Sequence, residues 1–428
     1  MASLDDRSTV IPGADRRTSR RAVVAASIGN ALEWYDIMIY SYFAVVISAL
    51  FFPAESEFVA LLLTFGTFAI SYVIRPIGAV VIGNIGDRRG RKAALNLTIV
   101  LMFVGTLVLT LAPTHAQIGV GAAVLVLGAR LLQGFSAGGE FGSATAFVTE
   151  NARRGKAFYA SWQSATQGAA LLLAAVVGLL LTTGLSEEQL YSGGWRTAFA
   201  VGLLIGPVGL YIRLRMDDTP EFRAAETVKS PIRETLRSNR LRIVTAAGCV
   251  GLGTVSMYLL LYMPTFAIAN LGLPSYAAYI GGAIGGATVL VAAPLIGGLA
   301  DRVGCTPIMG AAGVCGAVLF VPMFALLSDR PSVLGLTLFQ AVLGLVLAFY
   351  FAPLPALLSS LFPTNVRVTG MSIAYNVGVL LFGGTAPLVF TTLLETTGSP
   401  VSPAYFMVSV AVVSVLAVTV ARRRFAQR

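Results

Sequence analysis

Long apolar runs alternate along the whole chain with short charged or Pro/Gly-rich breaks. Runs of about 18 or more apolar residues are read as membrane-crossing helices. They predict twelve spans: 22–51, 58–85, 93–112, 117–148, 157–183, 195–214, 242–270, 276–299, 307–327, 333–361, 366–394 and 403–421. Several are longer than a bilayer requires and are expected to tilt or project.

Composition gives the same picture. Apolar residues make up 56% of the 428 and charged residues only 12%, whereas a soluble chain carries about 25% charge. The missing charge excludes a soluble globular domain, so the expected fold class is an all-α polytopic membrane protein with little left over for a water-soluble part.

The formal net charge of +10 raises the question of nucleic acid, but the basic residues sit in short loops rather than on one solvated face, and no nucleic-acid partner is expected. Of the 30 Lys and Arg residues, 26 fall in seven segments that share one side if the chain crosses twelve times. The positive-inside rule then puts both termini and the central charged segment in the cytoplasm. Residues 1–21 are polar and basic, unlike a cleavable signal. The predicted layout is a tail (1–21), a six-helix bundle (22–214), a central loop (215–241), a second bundle (242–421) and a second tail (422–428).

Two bundles are suggested by an internal repeat. Gly83-x-x-x-Asp87-Arg88-x-Gly90-Arg91-Lys92 recurs as Gly297-x-x-x-Asp301-Arg302-x-Gly304-Cys305, 214 residues later and half of the 428. In each copy glycine permits close backbone approach, aspartate can cap the next helix and meet its positive end, and arginine can pair with acids on adjacent helices or with lipid headgroups. Recurrence at half-chain separation favours duplication with a gating latch, assigned to Gly83, Asp87, Arg88, Gly90, Arg91, Asp301 and Arg302, over a plain positive-inside anchor.

The loop GNIGDRRGRK resembles the signature of the major facilitator superfamily. GNALEWYD (29–36), RPIGAVVIGNIGDRRGRK (75–92), RLLQGFSAGGEFG (130–142), GWRTAF (194–199), DDTPEF (217–222) and IAYNVGVLLFGGTAP (373–387) resemble its metabolite:proton symporter family over nearly the whole chain. FFPAESEF (51–58), LLQGFSAG (131–138) and FYASWQSATQ (158–167) are most similar to its citrate and tricarballylate symporters. The resemblance implies twelve helices in two pseudo-symmetric six-helix bundles that rock about a central cavity, with substrate at the midplane. It implies symport of a small organic acid anion with protons in a bacterial inner membrane. Sodium is the alternative coupling ion, and a zwitterion such as proline or betaine the alternative solute.

Charges at bilayer depth cost at least about 2.5–3.5 kcal/mol each and mark a partner or a function. Glu33 and Asp36 lie with Ile37 and Tyr40 on one helical face of span 1. Arg75 in span 2 is at a depth that permits pairing with them, Arg130 lies near the midplane of span 4 beside Gln133, and Glu140 lies deeper. In one reading these charges only neutralise one another. In the other, Arg130 takes a substrate carboxylate through its planar fork, while Glu33, Asp36, Glu140 and Arg75 handle the proton. Candidate polar contacts to substrate are Tyr40, Gln133, Gln163 and Gln167 in the first half. In the second half, which has no membrane-depth acid apart from Glu395 near an outer end, they are Tyr258, Tyr262, Tyr350, Tyr375 and Asn376. Gln163 and Gln167 share a face with Ser164 and serve equally as interhelical glue.

Three cysteines and the single His115 lack metal-ligand spacing. No metal and no cofactor are expected, and the cysteines are read as small buried thiols. Gly134-Phe135-Ser136-Ala137-Gly138 matches the serine-hydrolase elbow, but it falls in an apolar helix without a histidine base, so no enzyme is expected. A channel is the rival from another class. Pro264, Pro294, Pro353, Pro355 and Pro387, with glycine pairs at 281–282, 285–286 and 383–384, cluster in the second half and permit bending there, with helix packing as the alternative reading. The chain is expected to act as a monomer.

Overall fold

The computed structural model describes residues 30–31, 33–89, 91–138, 140–151, 155–214, 239–363 and 367–425; among these, the side chains of 83–84, 86–95, 140, 143, 146–147, 150–151, 205, 208–209, 212–214 and 368 are not described. The described residues are helical almost throughout and contain no strand. The helices follow the apolar runs as α1 (Glu33–Tyr42, continued as Ala44–Phe51), α2 (Glu57–Val73, then Arg75–Arg89) and α3 (Arg91–Leu111). Next come α4 (Gly121–Ala137, then Glu140–Asn151), α5 (Lys156–Gly184) and α6 (Trp195–Leu214). The second half has α7 (Arg240–Thr265), α8 (Ser275–Val303) and α9 (Cys305–Asp329). It ends with α10 (Val333–Phe351, then Leu354–Leu361), α11 (Arg367–Val379, then Ala386–Thr397 beyond a π-helical turn at Leu380–Gly384) and α12 (Ser402–Arg424).

Eight described segments are long and apolar enough to cross a bilayer, and the bent α1 makes a ninth; Asn96–Leu111 in α3 and Gly121–Ala137 in α4 are shorter apolar helices. Side chains on the outer helices are exposed in a way water would penalise: Val291, Leu295, Val318, Leu326 and Leu416 are each 61–69% exposed. By contrast α7 is buried without a break from Thr245 to Thr265, which makes it an inner helix.

The second-half breakers are used in part: α10 is interrupted beside Pro353 and α11 at Leu380–Gly384. Pro264 and Pro294 sit inside continuous helices, and the sharpest break, 70°, falls in the first half between Tyr42 and Ala44, where neither proline nor glycine is present. The cysteine expectation is corrected: Cys249 is buried, but Cys305 is half-buried and Cys315 is exposed on α9. The tail (1–21) and nearly all of the central loop (215–241) lie outside the described residues.

The two halves meet along two seams. In the first, α5 and α8 pack along their length, each 29 residues, roughly 42 Å at 1.5 Å per residue. Small residues let the backbones close in: a Cβ on Gly168 would stand 2.5 Å from the Leu290 amide nitrogen, and one on Gly286 2.5 Å from that of Leu172. The second seam runs between α2 and α4 on one side and α7, α10 and α11 on the other.

Candidate functional site

The second copy of the repeated loop caps a different helix from the one its sequence suggests: α9, which follows it, has no side-chain cap, and Asp301 serves α5 instead. Gly155, just before α5, has φ +72° and offers no cap of its own. The missing acceptor comes from the other half: the Ala157 and Phe158 amides donate to Oδ1 and Oδ2 of Asp301 at 2.9 and 3.0 Å. A carboxylate at the end of α8 thus caps the positive start of α5. Gly304, with φ +104°, makes the turn into α9 that a side chain would strain, and Arg302 is exposed in the last turn of α8. In the first copy, Gly90 and the side chains of Gly83, Asp87, Arg88 and Arg91 lie outside what is described.

The same end of the molecule carries further contacts between halves. Thr149 and Ser359 share a hydrogen bond of 3.0 Å, Tyr375 stacks face to face on Phe141 with centroids 3.5 Å apart, and Asn376 donates to the Gly138 carbonyl at 3.2 Å. At the opposite end the Tyr279 hydroxyl donates to the Tyr42 carbonyl at 3.2 Å, just before the α1 bend. The two halves are therefore in contact at both ends of the interface.

Between them lie the membrane-depth charges, all buried: Glu33 at 7%, Asp36 at 4%, Arg75 at 5% and Arg130 at 2% exposure. They fall into two arrangements. Arg75 makes an ion pair with Glu33 at 3.8 Å and covers the Tyr72 ring at 4.0 Å. The Tyr72 hydroxyl shares a short hydrogen bond with that of Tyr258 in the other half. Tyr72 also lies flat against Gly384 in the π-helical turn of α11, where any Cβ would overlap the ring.

Arg130 is held differently. Its guanidinium lies 3.8 Å over the Tyr40 ring and 5.1 Å from that of Phe68. One terminal nitrogen donates to Gln133 Oε1 at 2.8 Å, Gln133 Nε2 donates to Thr106 Oγ1 at 3.1 Å, and Thr106 donates to Asp36 Oδ2 in a short hydrogen bond. Arg130 Nε and Asp36 Oδ1 have no hydrogen-bond partner among the described residues. Arg130 and Asp36 therefore communicate through two intervening side chains instead of touching. Tyr40 itself is anchored by its hydroxyl to Thr67 Oγ1 at 2.7 Å.

The other candidates divide. Gln167 is buried with Oε1 unsatisfied. Tyr258 and Tyr262 line the second seam, where Tyr262 packs on Phe65 at 5.5 Å and its hydroxyl accepts from Thr391 at 3.1 Å. Gln163 instead bonds Thr145, and its carbonyl accepts from Asn30 at 3.2 Å, all within the first half. Tyr350 donates to the Cys249 carbonyl at 3.0 Å inside the second half. The side chain of Glu140 is outside what is described. Sequence reasoning missed Thr106, Tyr72, Phe68 and Phe141; a lone threonine or aromatic in an apolar run carries no signal of its own.

With this geometry in view, the known proteins that the chain matches are informative. The family model described as Major Facilitator Superfamily matches residues 26–387, and the chain belongs to that superfamily. It is 34% identical over 415 residues to a citrate-proton symporter of Klebsiella pneumoniae, covering 95% of this chain and 92% of that one. It is also 34% identical over 417 residues to a Staphylococcus aureus (strain COL) protein provisionally named as a proline/betaine transporter, covering 95% and 88%. Its fold matches the crystal structure of a D-xylose-proton symporter with a TM-score of 0.77 at 17% identity, covering 94% of this chain and 97% of that one. The fold is thus that of a major facilitator: twelve helices in two pseudo-symmetric bundles.

Proposed function

We propose that this chain is a secondary transporter that carries a small organic acid anion, citrate-like in its carboxylates, together with a proton by alternating access. In this reading Arg130 anchors a substrate carboxylate and Asp36 carries the proton. The observation that carries it is the incomplete chain from Arg130 through Gln133 and Thr106 to Asp36, with a free guanidinium Nε at one end and a free carboxylate oxygen at the other. Charge bookkeeping supports an anion. Among the described side chains, with Asp36 ionised, the four charges Glu33, Asp36, Arg75 and Arg130 cancel; a proton on Asp36 leaves this group with one net positive charge, which one carboxylate neutralises. Both empty and loaded states then avoid an unbalanced charge in a low-dielectric interior, and each further carboxylate on the solute calls for a further proton. The named activity of the Klebsiella relative is of this kind.

The membrane is the bacterial inner membrane with both termini cytoplasmic, on the Lys/Arg distribution. Citrate uptake into proteoliposomes tests the proposal. Wild-type protein takes up citrate down an imposed proton gradient and alkalinises the outer medium. Asp36→Asn loses gradient-driven uptake and keeps citrate exchange. Citrate uptake without proton movement would remove Asp36 from this role.

One observation favours a second solute. Trp34, Phe68 and Tyr72 of the first half pack edge-on or tilted around Tyr258 of the second at 5.6–6.4 Å between centroids, and a cluster of aromatic rings suits a quaternary ammonium. Glycine betaine that displaced labelled citrate, or was itself accumulated in its place, would move the assignment to a zwitterion.

A further inference from the structure

We propose that Thr106 is the positioning residue through which the protonation state of Asp36 is read at Arg130. The inference rests on Asp36 as proton carrier and adds how the proton is sensed by a guanidinium that does not touch it.

A threonine hydroxyl has one proton to give and two lone pairs to receive with. Three groups compete for them at Thr106 Oγ1: Asp36 Oδ2, the Met102 carbonyl at 3.0 Å one helical turn back, and Gln133 Nε2 at 3.1 Å. Met102 O can only accept and Gln133 Nε2 can only donate. Asp36 alone changes character, accepting when ionised and able to donate when protonated.

The polarity of the chain is fixed at its other end. A guanidinium only donates, so the Gln133 oxygen must face Arg130 and its amide N–H groups must face Thr106. When Asp36 is ionised, every hydrogen bond donates toward the carboxylate: Arg130 to Gln133, Gln133 to Thr106, Thr106 to Asp36. Bonds aligned in this way reinforce one another. When Asp36 is protonated, its O–H donates to Thr106, the threonine proton turns to the Met102 carbonyl, and the Asp36 and Gln133 donors each take one lone pair of the hydroxyl oxygen. The chain no longer runs donor to acceptor into a carboxylate, so the Gln133 bond loses that reinforcement, and the hold of Gln133 on Arg130 weakens with it. The proton stays on Asp36 throughout and only the hydroxyl rotates.

Nothing else packed on Asp36 does this. Among the described residues the titratable or charged groups acting on it are Arg130 from α4 and Tyr35 from α1. From α3 it meets Thr106, and from α6 the Gly202 backbone, where a Cβ would stand 2.5 Å from Oδ1.

Infrared pH-difference spectroscopy on the full-length protein in liposomes, with isotope-labelled arginine, tests this without added substrate. The carboxylic-acid band that Asp36→Asn removes should grow as pH falls, and the guanidinium band that Arg130→Lys removes should shift with the same midpoint. Thr106→Val, which keeps the shape and deletes the hydroxyl, should keep the carboxyl band and lose the arginine shift. Thr106→Ser should restore it. An arginine shift that survives Thr106→Val, or that is missing from wild type, overturns the role of Thr106. No Asp36 carboxyl band at any pH overturns the proton-carrier reading itself, which is a separate result. If Thr106→Val does not fold, Thr106→Ser with a shift unlike wild type is the overturning outcome.

Discussion

Replacing Gly286 by alanine should loosen the whole α5–α8 seam. A Cβ at Gly286 would stand 2.5 Å from the Leu172 amide nitrogen and 2.9 Å from the Gly168 carbonyl oxygen. Comfortable contact begins at about 3.5 Å, and both neighbours are backbone, so no side chain can swing aside. The helices must part by about 1 Å, at an overpacking cost of about 1–3 kcal/mol. Gly66, Gly128 and Gly310 are internal controls, since a Cβ at any of them meets nothing within 4 Å; alanine there should be neutral or stabilise by up to about 1 kcal/mol through helix propensity. Thermal melting of the purified variants in one detergent provides the comparison. The separation should also reach the end of the seam, where Asp301 caps α5 across the halves, and raise the alkylation rate of a cysteine introduced by Ser161→Cys. Melting of Gly286→Ala alongside Gly310→Ala, with unchanged alkylation, would refute the claim that backbone contact sets the spacing of the two bundles.

Asp301→Ala removes the cap contributed by the other half, worth about 0.5–2 kcal/mol at a helix start; the Ser161→Cys alkylation rate should rise about 2- to 30-fold, and an unchanged rate would make the contact incidental. Arg130→Lys should abolish citrate uptake while the protein still reaches the membrane, because an ammonium cannot reproduce the fork that holds Gln133 and leaves Nε free; normal uptake would remove Arg130 as the anchor. Arg75→Met removes the 3.8 Å ion pair with Glu33 and should destabilise the fold by up to about 3–5 kcal/mol, with a smaller loss in the double variant with Glu33→Gln. Melting curves check this, and equal loss in single and double variants would deny the pairing.

The spans were legible because each is a local run of apolar residues, and the charged inventory because a charge in such a run is conspicuous. Which acid meets which arginine was not. Glu33 and Asp36 share a face by spacing, yet three residues leave a 60° offset around a helix, enough to turn Glu33 to α2 and Asp36 to α3 and α6. Thr106 was invisible because its role exists only once three helices meet. The α1 bend was invisible because its usual causes, proline or a glycine pair, are missing from Tyr42–Ala44. The glycines at 383 and 384 were read as points of bending; their larger service is to seat Tyr258 and Tyr72 against α11.

The two arginines also separate by what their surroundings leave undone. Arg75 has a carboxylate within ion-pair distance, although its Nε, like that of Arg130, has no hydrogen-bond partner among the described residues. Arg130 is just as deeply buried with no carboxylate in contact among the described residues, only an amide oxygen and aromatic faces, and the acid linked to it keeps an oxygen unbonded among them. A buried polar group left unsatisfied costs about 1–3 kcal/mol, more for a charged one. The protein bears that cost at Arg130 and Asp36 together. Either ligand alone corrects half of the deficit and upsets the charge balance: an anion on Arg130 with Asp36 ionised adds a negative charge, and a proton on Asp36 without an anion adds a positive one. Only both together complete the hydrogen bonds and keep the interior neutral, and on this reading that is why proton and anion cross as a pair.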